Sequence, residues 1–106
     1  MWKIELLDDE VLRELNTLPA DQRAKFTRIA DIIQNHGLEN VREPYVKHLE
    51  QGLWEIRMKG RDGISRAFYV IARPRRVVVV RIFRKKTQKT PRREILLALE
   101  RAKEIR

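Results

Sequence analysis

The sequence predicts an α+β domain: an antiparallel sheet packed on one face by helices, in the order β-α-α-β-β-β-α. Three observations carry this. From Leu53 to Arg84, three runs rich in Val, Ile, Phe, Tyr and Trp are cut by two turn signals, Gly60-Arg61-Asp62-Gly63 and Arg73-Pro74-Arg75-Arg76, which is the pattern of a meander. Ahead of them apolar residues recur at helical spacing, first at Val11, Leu12, Leu15 and Leu18, then at Phe26, Ile29, Ala30 and Ile33. Behind them Thr90-Pro91 opens a third such pattern with Ile95, Leu96, Leu99, Ala102 and Ile105.

Each element has its own signal. Trp2 to Leu7 reads as a short strand that must join an edge of the meander, being too brief to stand alone. Asp8 or Asp9 caps the first helix, and Pro19 ends or restarts it. The second helix runs from about Ala20 to Asn35, with Gly37 past its end. These two helices form a hairpin over the apolar face of the sheet. Leu38 to Gly52 links them to the first meander strand. In the last helix, Thr90 is the expected N-cap and Pro91 the first helical residue.

Turn lengths set a register. If Gly60 to Gly63 form the first loop, Lys59 faces Ile64 and Arg57 faces Arg66. If the second loop centres on Pro74-Arg75, Phe68 faces Arg81 and Arg66 faces Phe83. Strict alternation then puts Trp54, Ile56, Met58, Ala67, Tyr69, Ile71, Val78, Val80 and Ile82 on the core face. The other face divides into an apolar half, Phe68, Val70, Val77 and Val79, and a charged half, Glu55, Arg57, Lys59, Arg66, Arg81 and Phe83. Two directly opposed arginines cost a sheet roughly 0.2–1 kcal/mol. That cost is met if Glu55 bridges them, or if an anion occupies the place.

The 106 residues make one domain, 1–106. Cysteine is absent, which excludes disulfides and thiolate metal sites. No apolar run approaches the roughly 20 residues of a membrane span. Acidic residues follow Met1-Trp2-Lys3 within ten positions, so no signal peptide is expected and a cytoplasmic location is. The net charge of +9 is unevenly placed: residues 53–106 carry 17 Lys/Arg against 5 Asp/Glu, a balance of +12, and residues 1–52 carry 7 against 10, a balance of −3. Charge focused on a sheet and its final helix favours a polyanionic partner over a membrane surface. Arg84, Lys85, Lys86, Lys89, Arg92 and Arg93 crowd the approach to the last helix, whose N-terminus already favours anions.

Three stretches resemble a known family: Leu53-Trp54-Glu55-Ile56-Arg57, then Gly63-Ile64-Ser65-Arg66-Ala67-Phe68-Tyr69, then Ile82-Phe83-Arg84-Lys85-Lys86-Thr87-Gln88-Lys89-Thr90-Pro91. They are similar to the phage-derived, HigB-like branch of the RelE/ParE toxins, and the likeness spans essentially the whole chain. The resemblance implies a RelE-like fold and the toxin half of a type II toxin–antitoxin module. It implies a ribosome-dependent endoribonuclease (an mRNA interferase) that needs no metal or cofactor. The implied partners are a cognate antitoxin, usually of helix-turn-helix type, messenger RNA and the ribosome. Carried over by position, Arg57, Arg66, Lys85 and Lys86 match the catalytic basic residues, and Lys59 matches one less closely. The sequence departs from better-known members in having no tyrosine or histidine in its C-terminal segment to act as acid or base.

Cleavage by the 2′-hydroxyl requires a base, a stabiliser of phosphorane charge and an acid for the leaving 5′-oxygen. Arg57 and Arg66 suit the second task, because guanidinium binds two phosphate oxygens at once. A lysine among Lys59, Lys85 and Lys86 serves as acid or base if neighbouring cations depress its pKa, with Glu55 as second choice for the base. Arg81, Phe83, Arg84, Lys89 and Arg92 are expected to contact RNA or the ribosome, Phe83 by stacking. The same face suits a second reading: a non-catalytic toxin or binding module, gripping RNA or ribosome without cutting it or inhibiting gyrase as ParE toxins do.

Overall fold

The computed structural model describes residues 1–41, 45–85 and 89–105. Five strands form one sheet in the order β1-β5-β4-β3-β2. They are β1 (Lys3–Leu6), β2 (Val46–His48), β3 (Trp54–Gly60), β4 (Gly63–Ala72) and β5 (Arg76–Lys85), with helices α1 (Asp9–Asn16), α2 (Ala20–His36) and α3 (Arg92–Ala102). The meander β3-β4-β5 is antiparallel, β2 adds an antiparallel edge strand, and β1 pairs in parallel with the other edge of β5. Residues Leu38 to Gly52 thus supply a strand where the sequence suggested a link.

The hairpin register follows the turn chemistry. Arg57 pairs with Arg66, Lys59 with Ile64, Arg66 with Phe83 and Phe68 with Arg81. Gly60 pairs with Gly63 across a two-residue turn. Gly63 takes φ +135°, a conformation that side chains rarely adopt. At Gly60 a Cβ would fall 2.5 Å from an Asp21 carboxylate oxygen and 2.7 Å from Cγ of Gln22, so glycine lets α2 close onto the hairpin. The same Asp21 accepts the Arg61 N–H at 2.7 Å.

Strict alternation fails at one place. Phe68 pairs with Arg81 but Tyr69 pairs with Val79, so Val80 is an extra residue, a β-bulge. The bulge inverts the valine run: Val77 and Val79 lie in the core under α1 and α2, and Val78 and Val80 lie in the core under α3. This corrects the face expected for all four valines.

The sheet therefore has two cores. The α1–α2 hairpin buries Val11, Leu18, Phe26, Ile29 and Ile33 on Ile56, Met58, Ala67, Tyr69 and Ile82. Each buried Val, Leu, Ile, Phe or Met side chain among them contributes about 1.5–3 kcal/mol. Asp8 caps α1, accepting the Val11 N–H at 3.1 Å. On the other face α3 sets Ile95 and Ala98 on Phe68, Val78, Val80 and Phe83. Its N-cap is Pro91, with no side-chain bond, and not Thr90 as expected. On this face α3 covers the apolar half and also Arg81 and Phe83, while the rest of the charged half keeps Lys47 and Lys59 exposed and Arg57 partly so, above the buried Glu55 and Arg66. Among the described residues no helix is long and apolar enough to cross a membrane.

Candidate functional site

The open half-face is built by register. Alternation along three paired strands brings Glu55, Arg57 and Lys59 of β3, Ile64 and Arg66 of β4, and Lys85 of β5 to one side. Lys47 of β2 joins them, since it pairs with Glu55. Arg57 and Arg66 are directly opposed, and one carboxylate compensates them. Glu55 is 2% exposed, with Oε1 3.1 Å from Nη1 of Arg66 and 3.9 Å from Nε of Arg57. Its Oε2 accepts the Thr90 hydroxyl at 3.3 Å, and Thr90 in turn accepts from Nζ of Lys85 at 3.3 Å. The Thr90 hydroxyl thus bridges β3 and β5 instead of capping α3.

Arg66 is the centre of the cluster and is itself only 2% exposed. Its Nη1 is near enough to Glu55 for an ion pair but is not aligned for a hydrogen bond. Among the described residues Nε and Nη1 have no hydrogen-bond partner. Burial pulls the Arg66 pKa down; Glu55 opposes that and Arg57 adds to it. Lys85 is also held below the ordinary lysine value, first by desolvation and then by Arg66, with Arg57 and Lys47 in the same sense and Glu55 against. So, among the described residues, one carboxylate sits among five cations, and one of the five, the buried Arg66 guanidinium, has donors without a hydrogen-bond acceptor.

Of the residues expected to act in catalysis, Arg57, Arg66, Lys59 and Lys85 share this face, and Lys86 lies outside the described residues. The expected RNA contacts scatter. Arg81 is held by Glu94, at 2.7 and 3.1 Å, and by Glu14 at 2.7 Å. Phe83 is 8% exposed, edge-on to Phe68 with ring centroids 5.1 Å apart, and the Arg81 guanidinium lies 5.6 Å from its centroid. Both anchor α3, which covers the strand segment that carries them. Arg84 pairs with Ser65, whose hydroxyl bonds Gln22 of α2, so it emerges on the α2 side, and its guanidinium donates to the Asp62 carbonyl at 3.3 Å. Arg92 is exposed and ion-paired with Glu50, and Lys89 is exposed.

Two members of the site escaped the sequence. Lys47 lies on a strand of three residues, too short to show a period; the alternation Val46-Lys47-His48 was its only signal. Thr90 looked like a cap. His48 lies on the opposite face, 4.8 Å edge-on from Trp54, which stacks at 6.3 Å on Tyr69. Burial pushes the Tyr69 hydroxyl up to about 12, so that phenol stays neutral. Among the described residues no group of three or more His, Asp or Glu side chains converges as a metal ion would need.

The model of the family described as phage-derived protein Gp49-like matches residues 13–103. No curated protein matches the chain. Among solved structures, the archaeal RelE–RelB complex from Pyrococcus horikoshii OT3 contains a similar chain. It shares 19% identity with a TM-score of 0.58, over 80% of this chain and 96% of that one. The structural likeness shows a RelE-like fold, and the sequence match shows that the chain belongs to the phage-derived Gp49-like family.

Proposed function

We propose that this Gp49-like protein is the toxin of a toxin–antitoxin pair and cuts messenger RNA on the ribosome. The observation that carries the reading is Arg66. A buried guanidinium whose Nε and Nη1 have no hydrogen-bond partner among the described residues, although Nη1 is ion-paired with Glu55, directly opposite Arg57 and flanked by Lys85, is a costly arrangement that a bound oxyanion would complete. The fold it shares with RelE and the position of the open half-face support the same conclusion.

The chemistry follows from the roles open to each group. Arg57, the more exposed arginine, meets the phosphate oxygens, and Arg66 below it stabilises the charge that grows on them. Glu55 is committed to Arg66, Arg57 and Thr90 and acts as their counter-charge and not as a base. Lys85, with its depressed pKa, takes the 2′-hydroxyl proton. The 2′-oxygen then bonds to phosphorus and the bond to the 5′-oxygen breaks. Lys59, exposed on the same face, returns a proton to that leaving oxygen. No metal or cofactor enters these steps. The antitoxin, a helix-turn-helix protein in this reading, silences the toxin by covering the open half-face.

The test is expression of the chain alone in a bacterium with mapping of messenger 5′ ends. New ends inside translated frames, lost in Arg57→Ala, support the nuclease. Growth arrest without new ends would replace it with the binding reading, a toxin that blocks ribosome or gyrase. Arg57 is the better probe than Arg66, whose removal leaves Glu55 buried without its partner.

A further inference from the structure

Beside the cation cluster lies a cavity of about 400 Å³ lined by Lys25, Tyr45, Arg57, Lys59 and Ile64. Its volume falls within the range of small-ligand sites. Arg57 and Lys59 belong to the proposed catalytic face; Lys25 and Tyr45 do not, coming from α2 and from the residue before β2. A second groove of about 210 Å³ continues past the same Lys25 and Tyr45 to Arg28 and Asn40. Tyr45 thus stands between two cavities. No carboxylate lines either among the described residues.

Tyr45 is unusual in this molecule. It is 52% exposed, and no other of the seven aromatic residues is exposed to that degree. Phe83, the aromatic the sequence offered for stacking, is packed in one core, and Trp54 and Tyr69 pack in the other. Its backbone is fixed: the Tyr45 carbonyl accepts the Arg57 N–H at 2.8 Å. The ladder that places Arg57 therefore also sets the backbone from which the Tyr45 ring projects into the shared cavity. A flat aromatic surface with cations on either side suits a polymer of flat rings and phosphates.

We propose that Tyr45 is a stacking platform for a nucleobase of single-stranded RNA, and that Lys25 and Arg28 hold the phosphates flanking that base. The inference rests on the proposed cleavage function and deepens it, adding to the phosphate site a subsite for a neighbouring nucleotide. Tyr45 contributes a π-face, which every base can use, so the subsite sets affinity and strand position more than sequence.

The experiment titrates the full chain into a single-stranded RNA octamer, 2′-O-methylated so that it is not cut and carrying 2-aminopurine, whose fluorescence falls on stacking. Tyr45→Leu keeps apolar bulk without a π-face; it should weaken binding about tenfold or more and abolish the quenching. Tyr45→Trp should retain both. Lys25→Ala should weaken binding and lower its salt dependence by about one phosphate contact. An unchanged affinity in Tyr45→Leu, an equal loss in Tyr45→Leu and Tyr45→Trp, or no binding by the wild type overturns the inference. Mapping of 5′ ends in cells decides the cleavage reading separately: a Tyr45→Leu protein that binds RNA normally while the wild type still produces new ends sinks the subsite alone.

Discussion

At the scale of single residues, the pair Glu55–Arg66 and the amine of Lys85 make opposite demands on the fold. Both members of the pair are 2% exposed. Removing the carboxylate while keeping its shape strands a buried charge, so Glu55→Gln should lower unfolding free energy by about 3 kcal/mol in urea titration. A loss below about 1 kcal/mol would show that the arginine finds another partner. Lys85 is held below its ordinary value by desolvation, Arg66, Arg57 and Lys47, against Glu55. Its folded pKa lies below its unfolded one, so between the two the folded state binds fewer protons and stability rises with pH. The same depression makes neutral amine available at lower pH than an exposed lysine would. Cleavage should therefore climb with pH on the alkaline side until that pKa is passed. Lys85→Arg keeps the charge but cannot deprotonate; it should lose about 10²–10⁴ in rate together with the alkaline limb. An unaltered pH profile in Lys85→Arg would assign the base elsewhere. Arg57, Arg66 and Lys59 were legible because paired strands alternate and the two loops were short, and Lys85 was legible only through the basic run before the last helix and the family resemblance. Lys47 and Thr90 were not: three residues show no period, and a threonine before a proline satisfies the capping pattern whether or not it caps.

At the scale of elements, the bulge in β5 decides what Arg81 does. Beyond the end of β1, Glu14 of α1 takes over the strand edge, accepting the Ile82 N–H at 3.0 Å. Its carboxylate also binds Arg81 at 2.7 Å and Arg101 at 2.8 Å, and Arg101 donates to the bulge carbonyl of Val80 at 2.9 Å. Glu94 of α3 takes the other side of Arg81. One carboxylate from α1 and one from α3 thus fasten both helices to a single strand, offsetting a ladder that has no strand partner there. Glu14→Ala removes acceptors from one N–H and two guanidiniums. It should cost about 2–3 kcal/mol and lower the melting temperature by roughly 10 °C or more. A melting point within about 2 °C of the wild type would mean that water serves as well. The sequence held half of this. Glu14 lies three residues after Val11 and next to Leu15, a carboxylate within the helix's apolar stripe, which requires a buried cation. The bulge had no signal, since four consecutive valines satisfy either face equally.

At the scale of the whole molecule, the halves of the chain divide the work by charge. The element order was legible because periodicities of 3.6 and 2 change over at the turn signals, and the −3 half supplies the α1–α2 hairpin while the +12 half supplies α3 and every residue of the site face but Lys47. What the sequence could not assign was which cations are spent inside the fold. Arg81 and Arg101 are bound to Glu14 and Arg76 to Glu5, and cations held in this way release fewer counterions to a nucleic acid. The salt dependence of RNA binding should then count only the cations of the open half-face and its neighbouring groove. For contacts from Lys25, Arg28, Lys47, Arg57, Lys59 and Lys85, the slope of log affinity against log salt should be about −4, at roughly 0.7 per phosphate on a single strand. Arg57→Gln should flatten it by about 0.7, and Arg81→Gln should leave it unchanged however much stability it loses. A slope that falls equally in both variants would return Arg81 to the RNA interface and require α3 to lift from the sheet when RNA binds.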